Sequence, residues 1–213
     1  MHISEGVLSA PVLIIGAVAA VAGTTWGLKK LDLEQIPQAA MLAAGFFVAS
    51  LIRVPIGPAS VHLILNGVVG MLLGWTAFPV ILVALILQGV FFQFGGFTTL
   101  GVNTLIMAAP AVAGHYLCRP FLWQKPALAA VAAFFCGFMA VFLGTLTAAA
   151  ALIFSEENFF KVAVMLALSH LPVMIIEGMI TLFLVAFLKK VQPDMLPGYR
   201  PSFLSEAKTD GAR

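Results

Sequence analysis

The stretch ALAAVAAFFCGFMAVFLGTLTAAAALIF, residues 127–154, contains no charged side chain. A helix needs about 20 consecutive apolar residues to cross the hydrocarbon core of a bilayer, and this stretch exceeds that length. Residues 160–188 form a second long run that is almost as apolar. Two neighbouring runs of this length indicate helices that lie in a membrane.

The composition of the whole chain supports the same interpretation. Hydrophobic residues make up 62% and charged residues 9% of the sequence, and the mean hydropathy is +1.07. A typical soluble domain has about 25% charged residues. The net charge of +2 is too small to indicate nucleic-acid binding. The sequence therefore predicts an all-α, polytopic membrane protein without a sizeable soluble domain.

Charged or Gly/Pro-rich breaks divide the chain into seven apolar runs. They cover residues 8–28, 37–52, 61–75, 79–94, 102–117, 127–154 and 160–188. We predict seven transmembrane helices in a single domain over residues 1–190, with residues 1–9 as a distinct N-terminal segment. Residues 191–213 are polar and carry three prolines, which predicts a tail. In the third run, Gly70-x-x-x-Gly74 predicts close helix packing within the chain.

The basic residues predict the orientation, because cytoplasmic loops of membrane proteins carry most of the Lys and Arg. With seven spans and the N-terminus outside, nine of the 11 basic residues fall on the inner side. The other two, Arg53 and Lys161, fall on the outer side. We therefore expect the N-terminus outside and the C-terminus in the cytoplasm.

Met1 and His2 can together chelate one metal ion. The α-amine of Met1 and the backbone nitrogen of His2 would close a five-membered ring, and the backbone nitrogen and Nδ1 of His2 a six-membered ring. A fourth nitrogen would complete a square-planar site, the geometry typical of Ni(II) or Cu(II). No basic residue precedes the first apolar run, so we expect no signal-peptide cleavage and a surviving Met1 amine.

His62 is the candidate for the fourth nitrogen, because the predicted topology places it on the same side of the membrane as His2. The alternative is an interfacial histidine that hydrogen-bonds a loop carbonyl. His170 and Glu177 lie two helical turns apart on one face of the seventh run. Ionisable residues inside a membrane are functional candidates, although this pair could also lock the bundle structurally.

A glycine- and threonine-rich loop follows the fourth run and is also predicted to lie outside. Its polar side chains include Thr98, Thr99 and Asn103. They could orient ligand imidazoles through hydrogen bonds, or satisfy the backbone of the loop itself.

The sequence lacks G-x-x-x-x-G-K-[ST] and H-E-x-x-H motifs, which argues against ATP hydrolysis by a phosphate loop and against a zinc protease of that type. A transporter of this kind would need an ion gradient or an energising partner. A different class of function is a membrane redox subunit in which His115 and His170 bind haem. These two histidines lie at different predicted depths, which counts against that alternative.

The motifs as a set resemble the CbiM/NikM family. The N-terminal MHISEGVLS matches M-H-I-x-[DE]-G-x-L, and the likeness continues through GPASVH at 57–62, GGFTTLGVN at 95–103 and SHLP at 169–172, with Glu177-Gly178. Family members are the substrate-binding (S) components of energy-coupling-factor (ECF) transporters for cobalt and nickel. The stretch that begins at Ser60 departs from the Ser-Ser-x-His-Pro-Thr-like stretch of cobalt members.

The resemblance implies a multi-pass protein of the cytoplasmic membrane that binds one Co(II) or Ni(II) outside as its substrate, with no other cofactor. Its implied ligands are the amine of Met1, the amide and imidazole of His2, and the imidazole of His62. It also implies a membrane coupling (T) subunit and ATPase (A) subunits as partners, with a small auxiliary membrane protein in many cases. The chain itself would then be a transporter subunit and not an enzyme.

Overall fold

The structure is a computed structural model that describes residues 2–56, 59–156 and 159–199. Within these ranges the chain forms seven α-helices and one antiparallel hairpin. The helices are α1 (Ala10–Lys30), α2 (Ile36–Ala49), α3 (Asn66–Leu73), α4 (Ala77–Phe92), α5 (Leu100–Cys118), α6 (Pro126–Ser155) and α7 (Phe160–Val191), and the hairpin pairs β1 (Arg53–Ile56) with β2 (Ala59–His62). The prediction of an all-α, polytopic membrane protein is confirmed, with this hairpin as an addition.

Five helical segments among the described residues are long and apolar enough to cross a membrane: Ala10–Lys30, Asn66–Phe92, Leu100–Phe121, Pro126–Ser155 and Phe160–Val191. One of them joins α3 to α4 through the short 3-10 turn Gly74–Thr76. Helix α2 has 14 residues. At 1.5 Å per residue it is about 21 Å long, less than the bilayer core of about 30 Å. The number of membrane crossings and the orientation stay predictions.

The expected start of the third helix at residue 61 is wrong. Residues 59–62 pair with β1 in the register Arg53↔His62, and the helix begins only at Asn66. Leu65, directly before this helix, has a φ of +57°. An apolar run alone does not distinguish a buried strand from a helix, which is why the sequence misplaced this boundary. His62 therefore lies at the end of a strand.

Helix α5 lies at the centre of the bundle and packs against α1, α3, α4 and α6. Small residues let α3 approach its neighbours closely. A Cβ atom on Gly70 would overlap the carbonyl oxygen of Ala111 on α5, and one on Gly67 would lie 2.5 Å from the Cα of Gly137 on α6. The predicted role of Gly70 in packing within the chain is confirmed. This approach buries the start of α3 against α5 and α6.

The predicted tail begins close to the bundle. A 3-10 turn, Pro193–Met195, follows α7, and the carbonyl oxygen of Met195 accepts a hydrogen bond from the side chain of Gln38 at 3.3 Å. Leu196 is buried. Residues 200–213 lie outside the described residues, so the boundary at residue 190 stays a prediction.

Replacing Gly70 by alanine should destabilise the bundle, because the added methyl group meets the backbone of Ala111. Overpacking of this kind costs about 1–3 kcal/mol. Gly45 in α2 is the matched control, since a Cβ there meets nothing within 4 Å. Thermal unfolding in detergent should show a lower Tm for Gly70→Ala and an equal or higher Tm for Gly45→Ala. Equal effects of the two substitutions would contradict the packing described above.

Candidate metal centre

The backbone of Ile3 is held on both sides by one side chain of α5. The N–H of Ile3 donates to Oδ1 of Asn103 at 3.0 Å, and Nδ2 of Asn103 donates to the carbonyl oxygen of Ile3 at 3.0 Å. Both residues are buried. An amide side chain that pairs with both peptide groups of one residue acts as a neighbouring strand would. The N-terminal segment is therefore part of the folded core.

Residues of the glycine- and threonine-rich loop strengthen this attachment. Oγ1 of Thr99 lies 3.0 Å from the carbonyl oxygen of Ile3 and 3.2 Å from Nδ2 of Asn103. Thr98 contributes its backbone N–H, which donates to Oε1 of Glu5 at 3.2 Å, while its side chain is exposed. The loop and the N-terminal segment thus hold each other in place.

The close contact between the loop and the N-terminal segment requires glycine at two positions of the loop. Gly95 has a φ of +76°, and a Cβ there would lie 2.8 Å from Nδ2 of Asn103. A Cβ on Gly96 would overlap the side chain of Glu5. Any larger residue at these positions would push the loop away from the N-terminal segment.

The ring of His2 lies against the ring of His62. Their centroids are 4.8 Å apart and their planes differ by 22°. The ring of Phe94 lies on His2 as well, with a centroid distance of 5.9 Å. Both ring nitrogens of His2 are shielded from solvent. The structure therefore brings together two imidazoles from residues that are far apart in the sequence.

The tautomer of His62 follows from its neighbour. Nδ1 lies 3.0 Å from the carbonyl oxygen of Leu63, and a carbonyl oxygen can only accept, so Nδ1 carries the proton. The lone pair of a neutral His62 is then on Nε2, the nitrogen that can bind a metal. The sequence left open whether His62 binds a metal or hydrogen-bonds a loop carbonyl. The structure shows the hydrogen bond, and this bond is compatible with metal binding through Nε2.

Glu177 on α7 contacts the linker that leads from His62 to α3. Its Oε1 accepts hydrogen bonds from the N–H groups of Ile64 at 2.5 Å and Leu65 at 2.8 Å. His170, two turns earlier on α7, donates from Nδ1 to the carbonyl oxygen of Leu166 at 2.8 Å. Glu177 and His170 are both buried, so each is enclosed by the bundle rather than exposed to lipid.

His, Cys, Asp and Glu side chains do not gather in groups of three anywhere in the part of the chain that the structure describes. Two imidazoles are too few to complete the coordination of one ion. A site at His2 and His62 would need main-chain nitrogens as further ligands. The predicted amine ligand belongs to Met1, which lies outside the described residues.

Comparison with known proteins identifies the family. Residues 2–195 match the family model of CbiM, described as the cobalt uptake substrate-specific transmembrane region. The chain belongs to the CbiM family.

Individual relatives agree with this assignment. The chain is 44% identical over 199 residues to a putative metal transport protein of Haemophilus influenzae, covering 92% of this chain and 97% of the relative. It is 38% identical over 114 residues to the fused nickel transport protein NikMN of Rhodobacter capsulatus, covering 51% of this chain and 33% of that protein. A crystal structure described as a transition metal transporter superposes with a TM-score of 0.72 and 27% identity, over 90% of this chain and 93% of the other.

The family resemblance stated from the motifs is confirmed, and the chain is a multi-pass membrane component for cobalt or nickel uptake. The comparisons give no support to a haem-binding redox subunit. His115, one of the two histidines in that alternative, contacts the carbonyl oxygens of Gly70 and Met71 on α3. Sequence reasoning missed the contact of Phe94 with His2; the aromatic residue directly before Gly95-Gly96 was the available signal.

Exchanging Asn103 for aspartate should loosen the N-terminal segment of this CbiM-family protein. Aspartate still accepts the Ile3 N–H, but it cannot donate to the Ile3 carbonyl oxygen. A buried group left without its partner costs about 1–3 kcal/mol, so hydrogen exchange of the Ile3 amide should accelerate by about tenfold or more. Thr98→Ala is the control, because only the Thr98 backbone contributes. Unchanged exchange in Asn103→Asp would show that the segment is held by other contacts.

Proposed function

We propose that the chain is the S component of an ECF importer and captures Co(II) or Ni(II) through four nitrogens. These are the amine of Met1, the backbone nitrogen and Nδ1 of His2, and Nε2 of His62. The bound ion is the substrate of transport, and the chain itself catalyses no reaction.

The observation that carries the proposal is the stacking of His2 on His62 at 4.8 Å. Two nitrogens that bind one ion at about 2.0–2.1 Å each are at most about 4 Å apart, so ligand rings must be near neighbours. His62 is held in the tautomer that leaves Nε2 for a metal. The amine and amide of an N-terminal Met-His supply the remaining nitrogens through two fused chelate rings.

Thr99 and Asn103 support the chelate from outside the direct ligands. They fix the peptide groups of Ile3, the residue that follows the chelating His2. Residues that orient the ligands of a metal in this way typically change its affinity by about 10–100-fold when they are mutated. Thr98 supports the same segment through its backbone alone. His170 and Glu177 belong to this supporting layer or to the path of the ion.

The choice between the two ions rests on different arguments. A square-planar arrangement of four nitrogens favours Ni(II). The matching family is described by cobalt uptake, whereas the Rhodobacter relative is named as a nickel transport protein. We place cobalt first on the family description and nickel close behind. Competition calorimetry with both ions on the purified protein decides between them.

The sequence has no phosphate-loop motif, so transport would draw its energy from an ion gradient or from an energising partner. We propose a membrane T subunit and ATPase A subunits, together with a small auxiliary membrane protein. The positive-inside pattern supports an N-terminus outside the cytoplasmic membrane, so the ion would be captured outside and released inward when the partners act.

A removable N-terminal tag tests the amine ligand without changing any residue. While the tag covers the Met1 amine, calorimetry should detect no high-affinity binding of Co(II) or Ni(II). Cleavage that regenerates Met1 should restore binding. His2→Ala and His62→Ala should both abolish binding, and Ser4→Ala, at an exposed position of the same segment, should not.

Two results would contradict the four-nitrogen site. One is full-strength binding by the tagged protein, since the amine would then not be a ligand. The other is full-strength binding by a folded His62→Ala variant, because the fourth nitrogen would then come from elsewhere.

Metal affinity should fall as the pH falls. The amine, the amide and the imidazole must lose their protons to bind the ion, so protons compete with the metal. Each proton released contributes up to about tenfold in Kd per pH unit. Calorimetry in buffers of different protonation enthalpy, between about pH 8 and pH 6, should count these protons. An affinity that does not change with pH would rule out ligands that must deprotonate.

A further inference from the structure

The linker between strand β2 and helix α3 consists of Leu63, Ile64 and Leu65. The backbone N–H of each of these residues donates a hydrogen bond. Leu63 donates to the carbonyl oxygen of Ile52 at 3.1 Å, which continues the hairpin. Ile64 and Leu65 donate to Oε1 of Glu177 at 2.5 and 2.8 Å. Glu177 is 0% exposed. A single buried carboxyl group on α7 thus holds the linker between the hairpin and the bundle.

The peptide unit between Leu63 and Ile64 connects this carboxyl group to the ring of His62. Its carbonyl oxygen lies 3.0 Å from Nδ1 of His62, and its N–H donates to Glu177. Hydrogen bonds in a chain polarise one another, so the contact with Glu177 makes this carbonyl a stronger acceptor. A stronger acceptor holds the His62 proton on Nδ1 more firmly. The result is a continuous chain from carboxyl group to peptide to imidazole.

We propose that Glu177 is a positioning residue for the metal site and acts on His62 through the Leu63–Ile64 peptide unit. The proposal rests on the proposed function, in which His62 is a ligand. A carboxylate that bonds a ligand imidazole directly fixes its tautomer and raises its basicity. In this chain one peptide unit stands between the two groups, so the effect reaches from α7 to β2. A shift of α7 relative to the hairpin would change the ligand geometry.

The backbone of Leu65 provides an independent observation. Its φ of +57° and ψ of 15° lie in the left-handed region, which leucine does not favour. The next residue, Asn66, is fixed by hydrogen bonds from Nδ2 to the carbonyl oxygens of Met107 and Ala140, both at 3.3 Å. The contact of Glu177 with the Leu65 N–H therefore stabilises a strained linker. Without the carboxyl group the linker would relax and β2 would move with it.

Four variants of the full chain test the proposal by calorimetry with Co(II) and Ni(II). Glu177→Met keeps the length of the side chain but removes the acceptor, and should weaken binding by about tenfold or more. Glu177→Gln keeps an oxygen that can accept from both N–H groups, so it should lose clearly less affinity than Glu177→Met. Glu177→Met/Leu65→Gly should regain about threefold over Glu177→Met, because glycine adopts the left-handed backbone without strain. It should stay about threefold or more weaker than Leu65→Gly, because glycine does not replace the acceptor of the Ile64 N–H. Leu65→Gly alone should not tighten binding.

A second measurement reads the His62 ring without any metal. Nitrogen-15 spectra of histidine-labelled protein distinguish the Nδ1–H and Nε2–H tautomers. Wild type should show Nδ1–H for His62, and Glu177→Met should show a mixture. Thr181→Val is the matched control, since Thr181 is buried one turn further along α7 and donates to the Glu177 carbonyl oxygen at 2.8 Å. This control should change neither the affinity nor the tautomer, even at a lower Tm.

An unchanged affinity and tautomer in folded Glu177→Met would overturn the proposal. An equal loss of affinity in Glu177→Met and Thr181→Val at matched Tm would also overturn it, because Glu177 would then act through general stability. If Glu177→Met does not fold, the metal affinity of Glu177→Met/Leu65→Gly is compared with that of Leu65→Gly. Equal affinities of these two variants would overturn the proposal. If wild type binds neither ion, the proposed function fails, and the tautomer measurement alone decides whether Glu177 positions the ring.

Discussion

The two-way hydrogen bonding between Asn103 and the peptide groups of Ile3 is the contact on which the rest of the site depends. Fixing the backbone of one residue costs about 1–2 kcal/mol, and a chain terminus normally stays disordered for that reason. Each hydrogen bond returns about 0.5–1.5 kcal/mol, and burial of an isoleucine side chain about 1.5–3 kcal/mol. Two such hydrogen bonds and one buried isoleucine therefore contribute a free energy of the same size as the cost of ordering residues 2 and 3. The ring of His2 is placed beside His62 as a consequence.

The short helix α3, which has eight residues, leaves space in the bundle for the linker and the hairpin. Gly67 and Gly70 bring α3 into backbone contact with α6 and α5, so its first residue lies inside the protein. Irregular backbone at such depth is tolerated only where protein groups satisfy its hydrogen bonds. Glu177 accepts the N–H groups of Ile64 and Leu65. Asn66 ties the start of α3 to the carbonyl oxygens of Met107 on α5 and Ala140 on α6. Together these contacts fix the linker and the start of α3, and with them the position of His62 beside His2.

The sequence predicted the helical membrane fold, the family, and the approach of His62 to His2, because composition and short motifs record these directly. Thr99 and Asn103 were candidates from the sequence, and the structure adds that they hold the backbone of Ile3. The hairpin was missed because two prolines and a glycine mark residues 53–60 as a break between apolar runs, and the pairing of β1 with β2 depends on contacts outside the local pattern. For the same reason the partners of Glu177 could not be read from α7 alone. They lie on a distant segment of the chain.

In the proposed function, two of the four nitrogen ligands are the N-terminal amine and a backbone nitrogen. This explains why the motifs consist largely of residues that fix the backbone. A site built from side chains alone would require a cluster of His, Cys, Asp or Glu, which the described residues do not contain. A site built on backbone nitrogens requires instead residues that fix the backbone. Gly95 permits the turn, and Asn103 and Thr99 bind the peptide groups. Because such a backbone sets ligand positions rigidly, selectivity arises from geometry: four nitrogens in one plane disfavour ions that need octahedral oxygen or tetrahedral sulfur ligands.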